Sequence, residues 1–293
     1  MIRRPPRSTQ GVSSAASDVY KRQIFRGRFA MTGKLEGKIA IVTGGNSGIG
    51  EATVHAYARE GASVAIMARR SEEGTKVKDF VRNQGGTAEF IECDVSKPDA
   101  IKEAVNKTIQ IFGTIDILFN NAGVAGPNSF PSESFEEWSY ILDVNLNGVF
   151  NMTNEVWPHL IESGGGNIVN MSSAAAVTGF TETLINTTGR VPPASYFVAK
   201  AGVDAFTRYT AGLGGQSNIR VNGVRPGQIL TPMADREGKG EHGLKKLFDV
   251  VQILEGTGYP EDVANAVLFL SCHDSRFITG EIMNVDGGIT SKL

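Results

Sequence analysis

The clearest chemical signal in the sequence is a tyrosine followed four residues later by a lysine, Tyr196 and Lys200, in the segment ASYFVAK. Residues four apart on a helix project from one face, so the phenol and the ammonium would lie side by side. A free phenol has a pKa of about 10 and is a poor acid or base at neutral pH, but a neighbouring cation lowers that pKa. The spacing predicts an acid–base pair; the alternative is an ordinary exposed pair, because the pattern also arises by chance.

A glycine-rich turn, TGGNSGIG at residues 43–50, lies between a β-branched run and an amphipathic segment. Side chains at Gly44, Gly48 and Gly50 would keep a dinucleotide pyrophosphate away from the backbone and from the helix N-terminus. The spacing is G-x-x-x-G-x-G and differs from the generic G-x-G-x-x-G. Its position after a first strand and at the start of a helix favours a nucleotide site over a plain tight turn.

The end of the second predicted strand, SVAIMARR, bears on the choice of cofactor. Folds that select NAD usually place an acid here to accept from the ribose 2′-hydroxyl, whereas this chain has Ala68, Arg69 and Arg70. Arginine matches a 2′-phosphate with charge-assisted hydrogen bonds. We therefore expect NADP(H) to be preferred, with NAD(H) as the alternative, unless both arginines are merely solvated loop charges.

The elements that would position these residues alternate between short β-branched runs and segments of helical period. This alternation predicts an α/β fold, a single-domain, Rossmann-like, doubly wound parallel sheet with helices on both faces, over residues 31–293. The predicted strands are Ile39–Thr43, Val64–Ala68, Ala88–Glu92, Ile115–Phe119, Ile168–Met171, Ile219–Val224 and Ile282–Val285.

Composition excludes several classes of function. No stretch approaches eighteen apolar residues, so no membrane partner is expected. Residues 1–34 hold eight basic residues and one acid; subtracting these from 29 and 31 leaves 21 basic and 30 acidic residues, which argues against nucleic acid. Cys93 and Cys272 form no disulfide framework, and with four scattered histidines they match no metal-ligand spacing. We expect free thiols in a reducing, cytoplasmic location and no metal.

Residues 1–30 show neither a secretory apolar core nor a helical or strand period. Their Arg/Ser bias fits a transit peptide poorly, because Pro5 and Pro6 would break an amphipathic helix. Residues 1–23 closely resemble translated sequencing-adapter read-through. We interpret residues 1–30 as a disordered or artefactual tail, with a genuine transit peptide or basic tail as the alternative, and Met31 as the natural start.

From about residue 35 to 290 the chain resembles the short-chain dehydrogenase/reductase family, in its single-domain branch of about 250 residues. The resemblance rests on a series of motifs in order: TGGNSGIG (43–50), CDV (93–95), NNAG (120–123), VNLNG (144–148), VNMSS (169–173), YFVAK (196–200), VRPGQILTPM (224–233) and ITGEIMNVDGG (278–288). So many motifs in the right order make the match specific.

The resemblance implies roles for individual residues. Tyr196 would be the catalytic acid/base, Lys200 would hold the nicotinamide ribose, Ser173 would polarise the substrate carbonyl, and Asn145 would support a water relay to Lys200. Further cofactor contacts would come from Asp94 at the adenine, from Asn121 and Gly123 beneath the ribose, from Ile229 and Thr231 at the carboxamide and phosphate, and from the neighbouring motif residues Asn46, Ser47, Ile49, Val95, Ala122, Pro226 and Gly227.

Two segments bear on the substrate. The interval from Ser173 to Tyr196 exceeds the family pattern by about the length of 181–193, whose polar and Pro/Gly character predicts a loop insertion. It is a surface insertion, a piece of the substrate mouth or a mistranslated stretch. Residues 232–256 lie where the family has a substrate lid and predict a short amphipathic helix pair; the alternative is a plain surface helix.

The predicted function is hydride transfer between NADP(H) and a small, neutral alcohol or ketone of the 3-oxoacyl, sugar or cyclic alcohol class. The apolar residues around Ser173 favour a neutral substrate. The alternative is a non-catalytic nucleotide-binding redox sensor, since fold does not fix function. The C-terminal segment resembles the family's subunit contact, which implies a homo-oligomer, usually a tetramer.

Overall fold

Seven parallel strands form one sheet at the centre of this protein, in a computed structural model that describes residues 33–188, 191–235 and 240–292. The strands are β1 (Ile39–Thr43), β2 (Ser63–Ala68), β3 (Thr87–Glu92), β4 (Ile117–Asn120), β5 (Gly166–Met171), β6 (Ile219–Pro226) and β7 (Ile282–Val285). Their order in the sheet is β3-β2-β1-β4-β5-β6-β7. This is the predicted Rossmann-like α/β fold.

Helices cover both faces of the sheet. They are α1 (Gly48–Arg59), α2 (Ser71–Asn83), α3 (Pro98–Phe112), α4 (Phe135–Leu142), α5 (Gly148–Glu162), α6 (Glu182–Thr188), α7 (Ala194–Gly214), α8 (Lys245–Val251) and α9 (Pro260–Ser271). A π-helical turn, Asp143–Asn147, joins α4 to α5, and short 3₁₀ turns lie at Ala174–Ala176, Gly215–Ser217, His273–Ser275 and Thr290–Lys292. None of the helices within the described residues is long and apolar enough to cross a membrane.

The central strands form because both of their faces are buried, whereas the edge strands β3 and β7 are partly exposed. All five residues of β1 are buried, and successive side chains enter different cores: Ala40 and Val42 pack into one cluster and Ile41 into the other. A strand with helices on both sides needs a continuous apolar run rather than an alternating one. The β-branched runs in the sequence have this property, and every predicted strand lies within two residues of an observed one at each end.

The chain reverses its direction of progress across the sheet between β1 and β4, which are hydrogen-bonded neighbours. The segments after Thr43 and Asn120 therefore leave the sheet on opposite sides. In open α/β sheets such a switch point opens a crevice at the carboxyl ends of the strands, where ligands bind. The fold alone thus places a ligand site beside the glycine-rich turn.

Residues 181–193 differ from the predicted loop because they contain the short helix α6 (Glu182–Thr188), although 189–190 lie outside the described residues. This helix packs against α8 (Lys245–Val251), which belongs to the predicted lid. The polar and Pro/Gly composition predicts a loop, because composition carries no information about this contact with a distant helix. The three alternatives for the origin and role of 181–193 stay predictions.

The remaining domain predictions fall partly outside the described residues. The predicted tail, residues 1–30, lies wholly outside them, and within the predicted lid, 232–256, residues 236–239 do as well. Gly33–Leu293 forms one compact unit. The status of the tail and the movement of a lid stay predictions.

Candidate active site

A cavity of about 700 Å³ opens at the carboxyl ends of the strands, on both sides of the switch point. Almost every residue singled out from the sequence lines it: Gly44, Asn46, Ser47, Gly48, Ile49, Arg69, Arg70, Asp94, Val95, Asn121, Ala122, Gly123, Ser173, Tyr196, Lys200, Pro226, Gly227, Ile229 and Thr231. The two that do not are Gly50 and Asn145. The structure therefore gathers residues from across the chain in one site.

The glycine turn has the backbone geometry that a bound phosphate requires. Gly44 and Gly48 have φ values of 63° and 56°, a region that side chains disfavour. A Cβ at Gly44 would lie 3.0 Å from the backbone of Ala122. Bare backbone at these positions fits a dinucleotide that approaches the N-terminus of α1.

Gly50 lies beneath the turn and not on the cavity wall. A Cβ at this position would lie 2.2 Å from the Gly44 carbonyl oxygen and 2.6 Å from the Asn121 side-chain nitrogen. Asn121 Nδ2 donates to the carbonyl oxygens of Thr43 and Gly44, at 2.8 and 3.2 Å. Gly50 is thus needed for packing of α1 against the turn that Asn121 holds.

Arg70 faces the glycine turn, whereas Arg69 is held elsewhere. Arg70 Nη2 donates to Ser47 Oγ at 3.1 Å, and its Nη1 lies 3.0 Å from Glu73 Oε1. Arg69 Nη1 donates to the Tyr140 hydroxyl at 2.9 Å. A hydroxyl and a guanidinium side by side form a cradle suited to a phosphate group. Of the two arginines, Arg70 is therefore the one that lies beside the glycine turn.

Asp94 follows β3 and lines the opposite wall of the nucleotide end. Burial opposes ionisation of its carboxyl group, but hydrogen bonds from the backbone N–H and hydroxyl of Ser96, at 3.0 and 2.8 Å, outweigh it, and the net effect lowers the pKa. An ionised Asp94 retains an acceptor for an amine such as that of adenine.

Tyr196 and Lys200 lie one turn apart on α7, as their spacing predicts, and Lys200 Nζ is 5.7 Å from the centre of the Tyr196 ring. Lys200 is 3% exposed, and its Nζ donates to the Met171 carbonyl oxygen at 2.8 Å. The half-buried Ser173 lies at the end of β5, where its Oγ accepts from Ala175 N–H at 3.2 Å. That bond leaves the Ser173 hydroxyl proton available for donation, and in the protein alone it is directed to the Tyr196 side chain.

The pKa values differ from those that spacing alone suggests. Burial raises the pKa of Tyr196, and a hydrogen bond from the Ser173 side chain only partly offsets it. Burial lowers the pKa of Lys200 to about 8, against the opposing effect of Asp204. The expected lowering of the phenol pKa by Lys200 is therefore absent from the protein alone, because desolvation dominates. A neutral phenol is the form that can donate a proton.

Asn145 lies behind the cavity wall, fully buried within the π-helical turn. Its Oδ1 accepts from Val124 N–H and its Nδ2 donates to the Val124 carbonyl oxygen, both at 2.8 Å. A Cβ at Gly123 would lie 3.2 Å from Asn145 Oδ1 and 3.8 Å from Lys200 Nζ. Its side chain thus fixes the wall next to Lys200 and does not itself line the cavity, and its predicted support of a water relay to Lys200 stays a prediction.

The other end of the cavity is mainly apolar. It is lined by Val124, Ala125, Ala174, Ala175, Phe180, Pro192, Pro193, Phe197, Met233, Leu244, Leu247, Phe248 and Val251, together with His242. Phe180 and Phe197 meet edge to face, with ring centres 5.6 Å apart. The described parts of 181–193 and 232–256 thus both contribute to this wall.

Three residues near the site were not identified from the sequence: Glu133, Asp204 and His242. Glu133 contacts Ser195 in the first turn of α7, and Asp204 lies on α7 itself and pairs with Arg225 of β6. The sequence showed His242 only as one of four scattered histidines. Among the described residues no group of three or more His, Cys, Asp or Glu side chains could hold a metal ion.

Comparisons with known proteins agree with this geometry. A protein-family model described as enoyl-(acyl carrier protein) reductase matches residues 44–290. The chain is 36% identical over 258 residues to the 3-oxoacyl-(acyl-carrier-protein) reductase FabG of Thermotoga maritima, with 87% of this chain and 99% of the relative covered. It is 36% identical over 263 residues to the cyclohexanol dehydrogenase of an Acinetobacter species, with 89% and 98% covered.

Solved structures show the same likeness. A short-chain type dehydrogenase/reductase from Mycobacterium marinum superimposes with a TM-score of 0.80 at 31% identity, covering 87% of this chain and 96% of that one.

Proposed function

Because this chain belongs to the short-chain dehydrogenase/reductase family and is an NAD(P)-dependent oxidoreductase acting on CH–OH groups, we propose that it interconverts small, uncharged alcohols and ketones with NADP(H) as its cofactor. The observation that carries this proposal is the meeting of Ser173, Tyr196 and Lys200 at the apolar end of a cavity whose other end holds the glycine turn and Arg70. Cofactor and substrate would meet between these two ends.

In reduction, the carbonyl carbon gains a hydride and its oxygen gains a proton, which converts a ketone and NADPH into an alcohol and NADP⁺. The nicotinamide supplies the hydride when it is bound. Tyr196 Oη donates the proton, which is replaced from solvent, and Ser173 donates a hydrogen bond to the oxygen as negative charge develops there. In oxidation the same Tyr196 oxygen accepts the proton.

Lys200 would act on the cofactor and on Tyr196 together. Its ammonium donates a hydrogen bond to the Met171 carbonyl oxygen at 2.8 Å and has further N–H groups that can donate hydrogen bonds to ribose hydroxyls. Its positive charge favours the phenolate that forms after proton donation. Asn145 would support a water relay to Lys200 by holding Val124 and the wall beside Gly123.

The preference for NADP(H) over NAD(H) is supported by the end of β2. Ala68 offers no acceptor to a 2′-hydroxyl, and Arg70 together with Ser47 offers donors to a 2′-phosphate. The proposal also covers the remaining predicted contacts, with Asp94 at the adenine and Ile229 and Thr231 at the nicotinamide end.

Substrate class is supported by the apolar wall and by the names of two relatives, a 3-oxoacyl reductase and a cyclohexanol dehydrogenase. An uncharged ketone or alcohol enters such a wall at lower desolvation cost than an ion. The test is to follow NADPH and NADH absorbance with a panel of cyclic ketones, 3-oxoacyl thioesters and sugars. Cofactor oxidation with at least one ketone, faster with NADPH, is expected; tight NADPH binding without turnover of any of them would favour a redox sensor.

Assembly into a homotetramer is part of the same proposal. Large apolar side chains are exposed on α7 and near β7, among them Tyr209 (67%), Leu213 (56%) and Phe277 (94%). Surfaces of this kind commonly mark subunit contacts. Light scattering at micromolar concentration should show a tetramer, and a monomer would contradict this part. The cytoplasmic location stays a prediction.

A further inference from the structure

His242 stands out because it is a polar side chain on the apolar wall of the substrate end. It lies just before α8 and lines the cavity together with Leu244, Leu247 and Phe248. The segment is anchored at this point, since Gly243 N–H donates to the Ala234 carbonyl oxygen at 3.0 Å. The histidine is therefore held beside the space that a substrate would enter.

The position of its proton follows from its hydrogen bonds. Leu244 N–H donates to His242 Nδ1 at 3.0 Å, so Nδ1 carries a lone pair. A neutral imidazole then has its proton on Nε2, which is a donor. Burial lowers the pKa of His242 to about 4, so the ring is neutral at pH 7.

The orientation of the ring is fixed as well. Phe248 meets it edge to face, with ring centres 4.8 Å apart and planes at 81°. Nε2 has no hydrogen-bond partner within the described parts of the chain. It is also not among the fully buried polar atoms that lack a partner there, so it is not closed off from solvent. This donor is therefore accessible, on a residue that lines the cavity.

Other polar groups at this end already have a use. Ser173 and Tyr196 face the reacting oxygen in the proposed function, and the Thr178 hydroxyl donates to the Ala174 carbonyl oxygen at 3.0 Å. His242 thus offers a donor that the reaction does not use. An apolar pocket with one convergent polar group is the usual arrangement for fixing a ligand's orientation.

We propose that His242 recognises a second, uncharged oxygen of the substrate, remote from the reacting carbon, by donating its Nε2 proton to that oxygen. The substrate class narrows to ketones and alcohols that carry a further hydroxyl, keto or ester oxygen. A carboxylate is disfavoured, because a neutral donor would not compensate the loss of its hydration among Leu244, Leu247 and Phe248. This inference rests on the proposed function of the same cavity.

The test compares matched ketones. With NADPH, kcat/KM is measured for 2-, 3- and 4-hydroxycyclohexanone and for the methylcyclohexanone substituted at the same position. In the unmodified protein at least one hydroxyketone should exceed its methyl partner by about three- to tenfold, the worth of one neutral hydrogen bond. The His242→Asn variant retains an oxygen that can accept from Leu244 N–H, and its amide N–H₂, on a shorter side chain, does not reach the position of Nε2. In this variant the ratio should fall to about one.

His159→Asn is the matched control, because His159 lies on α5 away from the cavity and pairs with Glu162. This variant should keep the hydroxyketone preference. The inference is wrong if the unmodified protein shows no preference at any ring position, or if His242→Asn keeps the preference.

Failure of the proposed function gives a different result. If no ketone oxidises NADPH, that function fails, and the same ketone pairs are then titrated into the NADPH-loaded protein by calorimetry. Tighter binding of a hydroxyketone that His242→Asn abolishes would still support the inference, and equal binding of the pairs would overturn it.

Discussion

Glu133 accepts hydrogen bonds from both the backbone N–H and the hydroxyl of Ser195, the residue that immediately precedes Tyr196. Ser195 is fully buried in the first turn of α7, where backbone N–H groups have no partner within the helix. The carboxylate thus satisfies one of these groups and ties the start of the Tyr196 helix to the segment before α4. The contact therefore holds the start of α7, directly after residues 181–193.

We expect Glu133→Gln and Ser195→Ala each to lower kcat by about three- to tenfold, because each loosens the position of Tyr196. NADPH affinity should change little, since neither residue lines the cavity. The double variant should be hardly worse than either single one, because residues in contact are coupled.

Steady-state kinetics on the full double-mutant cycle, with melting temperatures alongside, checks this. Ser134→Ala is the control, since Ser134 lies next to Glu133 but caps α4 through Glu137. Losses that multiply independently in the double variant would show that the Glu133–Ser195 contact does not act on Tyr196.

Cofactor choice should depend more on Arg70 than on Arg69. Arg70 reaches Ser47 on the glycine turn, whereas Arg69 is bonded to Tyr140. Arg70→Ala should weaken NADPH binding by about tenfold or more, the worth of a charge-assisted hydrogen bond, and should leave NADH binding within about threefold.

Cofactor fluorescence titrations measure both dissociation constants. Arg69→Ala should reduce the difference between NADPH and NADH affinity less than Arg70→Ala does. Ala68→Asp should reverse the cofactor preference, because the carboxylate repels the 2′-phosphate and accepts a hydrogen bond from the 2′-hydroxyl. Equal affinity of the unmodified protein for NADPH and NADH would contradict the assignment.

The pH dependence should follow Lys200. Burial lowers its pKa to about 8, so the ammonium is present below that pH and is lost above it. The kcat/KM for ketone reduction, which needs protonated Lys200 and Tyr196, should fall as pH rises through about 8. Alcohol oxidation, in which Tyr196 accepts a proton, should instead gain with rising pH up to that point.

Asp204 gives this prediction a second test, because its charge raises the pKa of Lys200. Asp204→Asn should move the alkaline limb of the reduction profile to lower pH. Asp204 also pairs with Arg225 at 2.6 Å, so a melting curve must show that the variant is folded. A limb that stays in place in a folded variant, or a flat profile up to pH 10 in the unmodified protein, would contradict the role of Lys200.

The sequence was informative where burial or spacing determines structure. Ile39–Thr43 was predicted with its observed bounds because a strand buried on both faces must be a short apolar, β-branched run. Ile282–Val285 was also predicted with its observed bounds, although this edge strand is only partly buried. The Tyr196–Lys200 pair was predicted because four residues make nearly one helical turn. The motif order then supplied Ser173 and most of the residues that line the cavity.

Contacts between distant parts of the chain could not be predicted. Glu133 and Ser195 are 62 residues apart, and Arg70 and Ser47 are 23 apart. Helix α6 forms within a segment of loop-like composition because it packs against α8. Burial of Tyr196 likewise reverses the pKa shift that its neighbour Lys200 suggested. These properties depend on tertiary packing, which residue spacing does not encode.

The central claim is that Tyr196 is the proton donor of a hydride-transfer site. The direct measurement compares the unmodified protein and Tyr196→Phe in NADPH-dependent reduction of the best ketone, together with NADPH affinity. We expect turnover to fall by about 10²–10⁴-fold, as for loss of a general acid, while the NADPH dissociation constant stays within about threefold. Near-normal turnover of Tyr196→Phe would contradict the account.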